Sequence, residues 1–217
     1  RERKTEIRVF DDVDATKVVI RNTKLYVNRE EGFIGTSLRR DEYVCDCSDI
    51  DDIIVFTKTG KMMVTKVDTK TFIGKDIIHV AVFKKKDKRT IYNMIYRDGK
   101  GGPSYIKRFA VSGTSRNKEY DLSNGNSNSV VWYFSANPNG EAEVVTVLLR
   151  KSGSIKKLKW DIDFSDVIIK GRASKGNLVT KYSIKRIELK EKGVSTLKPR
   201  KIWFDDTVQR LNVDARG

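Results

Sequence analysis

The fold is decided by one stretch, Tyr92-Asn93-Met94-Ile95-Tyr96-Arg97-Asp98-Gly99, which is followed closely by Ser104-Tyr105-Ile106-Lys107-Arg108-Phe109. Each half is rich in aromatic and β-branched residues, and the glycines between the halves favour a tight turn. The stretch therefore predicts a β-hairpin with a lysine and an arginine in the middle of its second strand.

The same pattern occurs twice more along the chain. The second copy is Ile53–Thr57, Gly60-Lys61 and Met62–Val67, and a weaker third copy is Val144–Leu149, Ser152-Gly153-Ser154 and Ile155–Leu158. A hairpin that recurs with basic residues just after its turn indicates a repeat protein that presents positive charge to an anionic polymer.

The charge is high and unevenly placed. With 44 Lys and Arg against 29 Asp and Glu, the 217-residue chain has a formal charge of +15. Residues 150–217 hold 18 basic and 8 acidic side chains, so most of the excess lies in the C-terminal third. The simplest alternative is a soluble, lysine-rich surface that binds no polyanion. The excess follows the hairpins, however, and this favours a binding surface for nucleic acid.

Composition also limits where the protein acts. No apolar run reaches the roughly 18 residues that cross a bilayer, so we expect no membrane partner. Cys45 and Cys47 are too few for an extracellular disulfide framework and indicate a reducing, cytoplasmic compartment. Because the chain begins with Arg1, we expect a piece of a longer protein: one domain over 1–217, with a linker at Arg1–Thr5.

Fourteen short segments have strand character, and no segment has a sustained helical pattern. They are Lys17–Ile20, Lys24–Val27, Ile53–Thr57, Met62–Val67, Ile77–Phe83, Ile91–Tyr96, Tyr105–Val111, Val130–Ser135, Val144–Leu149, Ile155–Ile162, Asn177–Tyr182, Ile184–Leu189, Lys201–Asp205 and Val208–Val213. This density predicts an all-β propeller or sandwich. We expect Ser123–Ser129 and Lys190–Arg200 to be loops.

Glycine-ended phrases suggest the length of the repeat. Phe33-Ile34-Gly35, Phe72-Ile73-Gly74 and Val111-Ser112-Gly113 are each 39 residues apart, and Ile169-Lys170-Gly171 follows after a longer interval. Periods near 40 residues are typical of propeller blades, so the spacing favours repeats over a large sandwich.

The residues of a catalytic or metal site are missing from the pattern. The single histidine, His79, alternates with apolar neighbours and is expected to be a half-buried strand residue. With one His, a Ser-His-Asp triad has few options, and Cys45, Cys47 and His79 match no zinc spacing. We interpret the acidic run from Asp41 to Asp52 as a solvated edge. We therefore predict no catalytic residue, no metal site and no cofactor in this chain.

The hairpin phrases resemble the C-terminal domain of bacterial gyrase and topoisomerase IV A subunits. The similarity rests on Arg97-Asp98-Gly99 with Ser104–Phe109, and on Asp52–Thr57 with Gly60-Lys61. It extends more weakly over nearly the whole chain, including Lys4–Ile7 and Asp11–Asp14. The resemblance implies a β-pinwheel, a propeller-like disc of about five four-stranded blades, whose basic outer rim binds and bends duplex DNA.

The resemblance also implies a larger enzyme. Its catalytic tyrosine would lie in an upstream core of the same polypeptide, and its ATPase in a partner B subunit of an A2B2 holoenzyme that uses Mg²⁺ and ATP. Gyrase A subunits carry the box Gln-Arg-Arg-Gly-Gly-Lys-Gly. The nearest stretch here is Lys170–Gly176, in which only Arg172, Lys175 and Gly176 keep the pattern. The resemblance therefore favours the topoisomerase IV A subunit, which decatenates and relaxes DNA, over gyrase, which adds negative supercoils.

A DNA rim needs basic residues on outer strands and inter-blade loops. The first candidates are Lys107, Arg108, Lys156, Lys157, Lys159, Arg172, Lys175, Lys181, Lys185 and Arg186. The second candidates are Lys61, Lys75, Arg97, Lys100 and Arg116. We expect Trp132, Trp160 and Trp203 to pack in the core. Besides a nucleoid-associated DNA-bending domain, a propeller that binds a protein partner stays open.

Overall fold

The chain folds almost entirely into short strands. The computed structural model describes residues 22–153, 155–199, 202–207 and 209–213. The strands are β1 (Thr23–Asn28), β2 (Phe33–Gly35), β3 (Glu42–Cys47), β4 (Asp52–Thr57), β5 (Lys61–Lys66), β6 (Thr71–Phe72), β7 (Ile77–Phe83), β8 (Ile91–Arg97), β9 (Ser104–Ala110), β10 (Glu119–Asp121), β11 (Val130–Asn137), β12 (Glu141–Leu149), β13 (Lys159–Asp163), β14 (Ile169–Gly171), β15 (Asn177–Thr180), β16 (Ile184–Ser195), β17 (Ile202–Asp205) and β18 (Arg210–Val213). One 3₁₀ turn covers Phe164–Asp166. No helix in the described part of the chain is long and apolar enough to cross a membrane.

The strands form sheets with one repeated order. The first sheet runs β3-β1-β2-β6, the second β7-β4-β5-β10, and the third β11-β8-β9-β14 with β15 also on β9. The fourth sheet runs β16-β12-β13, and β17 pairs with β18 alone. Each of the first four sheets therefore contains a central hairpin and a later strand that returns beside the first strand of that hairpin.

The outer strand of each of the first three sheets comes from the next unit along the chain. β6 follows the hairpin of the second sheet but pairs with β2 of the first. β10 likewise follows the third hairpin and pairs with β5, while β14 and β15 follow the fourth hairpin and pair with β9. This strand exchange links the first four sheets in sequence and defines a β-pinwheel.

Most of the predicted strands are present. The hairpins expected around Gly60 and Gly99 are β4-β5 and β8-β9, and the third is β12-β13, whose second strand begins at Lys159 and not at Ile155. The all-β pinwheel is confirmed. In place of about five equal four-stranded blades, the described residues form four sheets of three to five strands and one two-stranded hairpin. The linker Arg1–Thr5 and the predicted strand Lys17–Ile20 lie outside the described residues.

The 39-residue glycine period was wrong as a structural repeat. Phe33–Gly35 is the inner strand β2, whereas Thr71–Phe72 is the exchanged strand β6, and the two pair directly, with Phe33 opposite Phe72. The hairpins themselves begin at Thr23, Asp52, Ile91 and Glu141, so successive units have unequal lengths.

The predicted loop Lys190–Arg200 was wrong in its first half, because β16 continues to Ser195. It stays paired with β12 through register shifts near Ala142 and Val144. Gly193 has a φ of +67°, and a Cβ there would overlap the carbonyl oxygen of Ala142. Gly193 therefore allows a bulge at which β16 continues along β12. In the sequence alone, a glycine at this place resembles the end of a strand.

Three apolar clusters lie between successive sheets. Leu25 and Val27 pack against Val55, Ile54 and Phe56 pack toward Tyr92, and Ile95 packs toward Val145. The second and third sheets are thus covered on both faces, which explains why β4 and β8 are apolar over nearly their full length. The core is a stack of sheets and not one central cluster.

His79 lies in the cluster between the second and third sheets. Its ring is 5.8 Å from that of Phe56 and 5.6 Å from that of Phe134, and Nε2 has no hydrogen-bond partner among the described residues. Burial, with a smaller contribution from the charge of Arg29, lowers the pKa of His79 to about 4. The prediction of a half-buried strand histidine is confirmed.

This environment makes stability depend on pH. Because the unfolded imidazole has a pKa of about 6.5 and the folded one about 4, the unfolded state binds the extra proton first. Unfolding free energy should fall by about 2 kcal/mol between pH 8 and pH 5 through this group. The variant His79→Phe keeps an aromatic ring but has no imidazole to protonate. This loss of about 2 kcal/mol, which follows from the same linkage, should be missing when its urea unfolding is measured at the two pH values. An identical pH dependence in both proteins would contradict the assignment.

Candidate nucleic-acid interface

Two loops meet at one end of the fourth sheet and carry most of its positive charge. We call residues 150–153 with 155–159, together with residues 181–186, the basic loop pair; the two segments include the first residue of β13 and the first three residues of β16. The amide of Arg150 donates to the carbonyl of Ser183 at 2.9 Å, and Leu149 closes the first loop by donating to Leu158 at 2.9 Å. The pair contains Arg150, Lys151, Lys156, Lys157, Lys159, Lys181, Lys185 and Arg186. Neither segment contains an aspartate or a glutamate.

All eight basic side chains are exposed. Arg186 pairs with Glu188 at 2.9 Å, and the other seven form no ion pair within the part of the chain that the structure describes. The surface therefore concentrates charge that an external anion can neutralise.

The equivalent ends of the other sheets are less basic. In the second sheet, Lys58 and Lys75 lie beside Asp76, since the amide of Lys58 donates to the carbonyl of Asp76 at 2.8 Å. In the third sheet, the carboxylate of Asp98 accepts from Asn124 at 2.8 Å and from Asn126 at 3.0 Å. An anion is therefore repelled least by carboxylates at this end of the fourth sheet.

The outer face of the fourth sheet carries positive charge at the end with the basic loop pair. There Lys159 and Arg186, both members of the pair, lie on either side of Leu148 across the three strands. The next row is Asp161, Thr146 and Glu188, and Asp161 accepts from Lys190 at 2.6 Å and from Thr146 at 2.6 Å. The hydrogen bond to Lys190 lowers the pKa of Asp161. The row beyond the loops is therefore internally neutralised.

Lys107 was wrongly predicted to face DNA, because it is 2% exposed. It points toward the second sheet, where its Nζ donates to the carbonyls of Leu122 at 2.5 Å, Arg172 at 2.8 Å and Ser174 at 3.0 Å. Burial lowers its pKa to about 8, partly offset by the charge of Asp121. An ammonium has three donors, and all three are used here.

Arg108 was wrong for the same reason, also being 2% exposed. It points to the opposite face of β9, toward the fourth sheet. Its guanidinium donates to Asn93 Oδ1 at 3.0 Å, to the carbonyl of Gly140 at 3.0 Å, to Thr196 Oγ1 at 3.0 Å and to the carbonyl of Phe164 at 3.3 Å. The adjacent Lys107 and Arg108 thus join the third sheet to its neighbours on both sides.

The segment that resembles the gyrase box is a turn between β14 and β15. Its backbone is held by Lys107 and by the Tyr96 hydroxyl, which donates to the carbonyl of Lys175 at 2.7 Å. The Arg172 guanidinium lies 4.2 Å from the Tyr120 ring and donates to the carbonyl of Gly113. Lys175 is exposed above the Tyr105 ring at 4.6 Å. Of the predicted DNA-binding residues in this turn, Lys175 is exposed to solvent, whereas Arg172 is partly buried.

Three of the second candidates are engaged within the protein. Lys61 lies 3.2 Å from both Glu119 and Asp121 on the exchanged strand β10. Arg116 pairs with the buried carboxylate of Asp52 at 2.7 Å. Arg97 donates to the carbonyl of Gly99 at 2.9 Å. Lys75 and Lys100 are exposed, but they lie at the ends of the second and third sheets, apart from the basic loop pair.

Arg150, Lys151 and Tyr182 also belong to this surface, although the sequence pattern did not single them out. The sequence signal that could have identified them is the absence of carboxylates from both loops.

The expectation that the tryptophans pack in the core was wrong for Trp203, which is 50% exposed.

The exchanged strands and the cluster of exposed cations together define a β-pinwheel domain with one strongly basic end. The family described as "Topoisomerase C-terminal domain, Bacteroidota" matches residues 24–192. The chain belongs to this family of topoisomerase C-terminal domains.

The known proteins that are similar to the chain include a topoisomerase subunit and a solved topoisomerase domain. The A subunit of DNA topoisomerase 4 from Borreliella burgdorferi is 28% identical over 190 residues, which are 87% of this chain and 28% of that protein. The chain thus spans just over a quarter of this relative. A crystal structure of the C-terminal domain of DNA topoisomerase IV has a TM-score of 0.53 at 14% identity, covering 82% of this chain and 63% of that one. This second likeness supports the fold.

Burial of the two cations predicts that adjacent basic pairs differ in their effect on stability. Lys107→Met and Arg108→Met should each lower the unfolding free energy by about 1–3 kcal/mol, because they leave buried carbonyls without donors. The exposed control Lys156→Met/Lys157→Met should change it by less than about 0.5 kcal/mol. Urea unfolding at pH 7 measures all three variants. Equal stability of the buried and exposed variants would contradict a stabilising role for Lys107 and Arg108.

Proposed function

We propose that the chain binds and bends duplex DNA, without sequence preference, as the C-terminal domain of a topoisomerase IV-type A subunit. The observation that carries this proposal is the basic loop pair, where eight exposed cations lie on two chain segments that lack carboxylates. Membership of the topoisomerase C-terminal domain family supports the same assignment.

The geometry suits phosphates better than bases. The cations are lysines and arginines, five on loops and three in the first residues of β13 and β16. Phosphate contacts position DNA and are insensitive to sequence. Bending arises when contacts continue around a convex surface, because the cost of deforming the duplex is offset by additional phosphate contacts. Lys175, beyond the loop pair, offers one such continuation.

The box-like turn favours topoisomerase IV over gyrase. Its cations are few, and Arg172 is already held by Tyr120 and Gly113. The relative with 28% identity is named as a topoisomerase 4 subunit. We therefore expect moderate bending that positions a DNA segment for strand passage, and not full wrapping.

The activity of the whole enzyme lies outside this chain in our proposal. A catalytic core in the same polypeptide would supply the strand-cleaving tyrosine, and a partner B subunit would supply the ATPase, with Mg²⁺ and ATP used by the holoenzyme. The proposed location is the cytoplasm, at the nucleoid. We propose that the chain itself contributes DNA binding and no catalytic residue.

Salt dependence tests the proposal directly. If about six to eight cations contact phosphates, affinity for a duplex of about 40 base pairs should fall roughly 10³- to 10⁵-fold between 50 and 200 mM salt. Fluorescence transfer between labelled duplex ends should rise moderately on binding. No binding at 50 mM salt would reject the proposal and favour a protein-binding propeller.

Charge reversal locates the surface. Lys156→Glu/Lys157→Glu should weaken duplex binding and reduce the slope of log affinity against log salt by about two. Lys84→Glu/Lys88→Glu is the matched control, since both lysines are exposed at the opposite end of the second and third sheets. A larger loss in the control would move the interface away from the basic loop pair.

A further inference from the structure

A groove of about 410 Å³ lies within the basic loop pair. Its walls are formed by the first loop on one side and by Thr180 and Tyr182 on the other. Leu149, Ile155 and Trp160 contribute its apolar part, and Lys156 and Lys157 contribute its charge. No aspartate or glutamate of the described residues lines it.

The two aromatic residues of this groove are both partly accessible to solvent. Trp160 lies opposite Val147 on β12 and packs against the apolar cluster of the third and fourth sheets, but it is only partly buried. Tyr182 is 57% exposed, and its amide is fixed by a hydrogen bond to Thr180 Oγ1 at 3.1 Å. A large exposed ring on an anchored backbone costs little entropy to use in binding.

The combination of rings, apolar floor and cations limits the ligand. Phosphates alone would use the lysines and leave the apolar surface in water. An intact duplex presents phosphates and groove edges along its rim, but its base faces are stacked inside. A strand with unpaired bases presents both groups together, since aromatic side chains stack on bases while cations bind the backbone.

We propose that this groove binds an unpaired nucleotide of single-stranded DNA, with the base against Tyr182 and Trp160 and the phosphate near Lys156 and Lys157. The inference rests on the proposed function, because it assumes that the basic loop pair faces DNA. It adds a second mode at the same surface: duplex binding through charge alone, and single-strand binding through charge and stacking. The volume is that of a small ligand site and fits a single nucleotide.

Tyr182→Ala separates the two modes. Binding of a fluorescent ten-nucleotide thymidine strand should weaken about 5- to 100-fold, as expected for losing one stacked base. Binding of the 40-base-pair duplex should weaken by a clearly smaller factor at the same salt, because the proposed duplex contacts are made by cations. Tyr43→Ala is the matched control, because Tyr43 is a 49% exposed tyrosine on the first sheet; it should bind both ligands normally.

A spectroscopic readout tests stacking independently of affinity. Replacing Trp132 and Trp203 with Phe leaves Trp160 as the single tryptophan of the chain. Its fluorescence should be quenched by the thymidine strand and much less by an abasic strand of the same length, which has the same charge and no bases.

The outcomes distinguish this inference from the broader proposal. Salt-sensitive duplex binding, with equal affinity for thymidine and abasic strands, would overturn the nucleotide groove and leave the duplex function intact. Single-strand affinity that is unchanged in Tyr182→Ala would also overturn it. Loss of all DNA binding at low salt would reject both.

Discussion

The structure depends on two adjacent cations buried in the middle of β9. Lys107 and Arg108 point to opposite faces of one strand, as neighbours in a strand must. One donates to the exchanged segments on the side of the second sheet, and the other to the backbone at the start of the fourth. A buried charge is stable only when its donors are satisfied. The relative position of three sheets is therefore fixed by the requirement that two charges keep their carbonyl partners.

Strand exchange also joins successive units of the chain. Because the outer strand of each of the first three sheets belongs to the next unit, a contact within one sheet is also a contact between units. Lys61 holds β5 to the carboxylates of β10, and Tyr96 holds the turn at Lys175. In the fourth sheet, the pairing of β16 with β12 brings the loop that begins at Arg150 against Ser183. The basic loop pair is thus assembled by the topology and not by a contiguous sequence.

The sequence was sufficient for the hairpins but not for their partners. Alternating or continuous apolar runs around glycine turns identified β4-β5 and β8-β9. The exchanged strands β6, β10 and β14 have only two or three residues, so they carry no periodicity. Lys156 and Lys157 are exposed as expected, although they lie in the loop before β13 and not on the strand predicted from Ile155. Lys107 and Arg108 were misplaced because both faces of β9 are covered by other sheets, which local sequence does not record.

The same kind of dipeptide therefore has two physical roles in one chain. Within β9, Lys107 and Arg108 are buried, and their N–H groups donate to backbone carbonyls. In the loop before β13, Lys-Lys is solvated and remains available. The net charge of +15 counts both equally, although only solvated cations can displace the counterions that DNA releases on binding. The distribution of carboxylates and the burial of each cation, more than the total charge, determine where a polyanion can bind. On these grounds the electrostatic surface of the domain lies at the fourth sheet, while the most recognisable basic phrase of the sequence holds the sheets together.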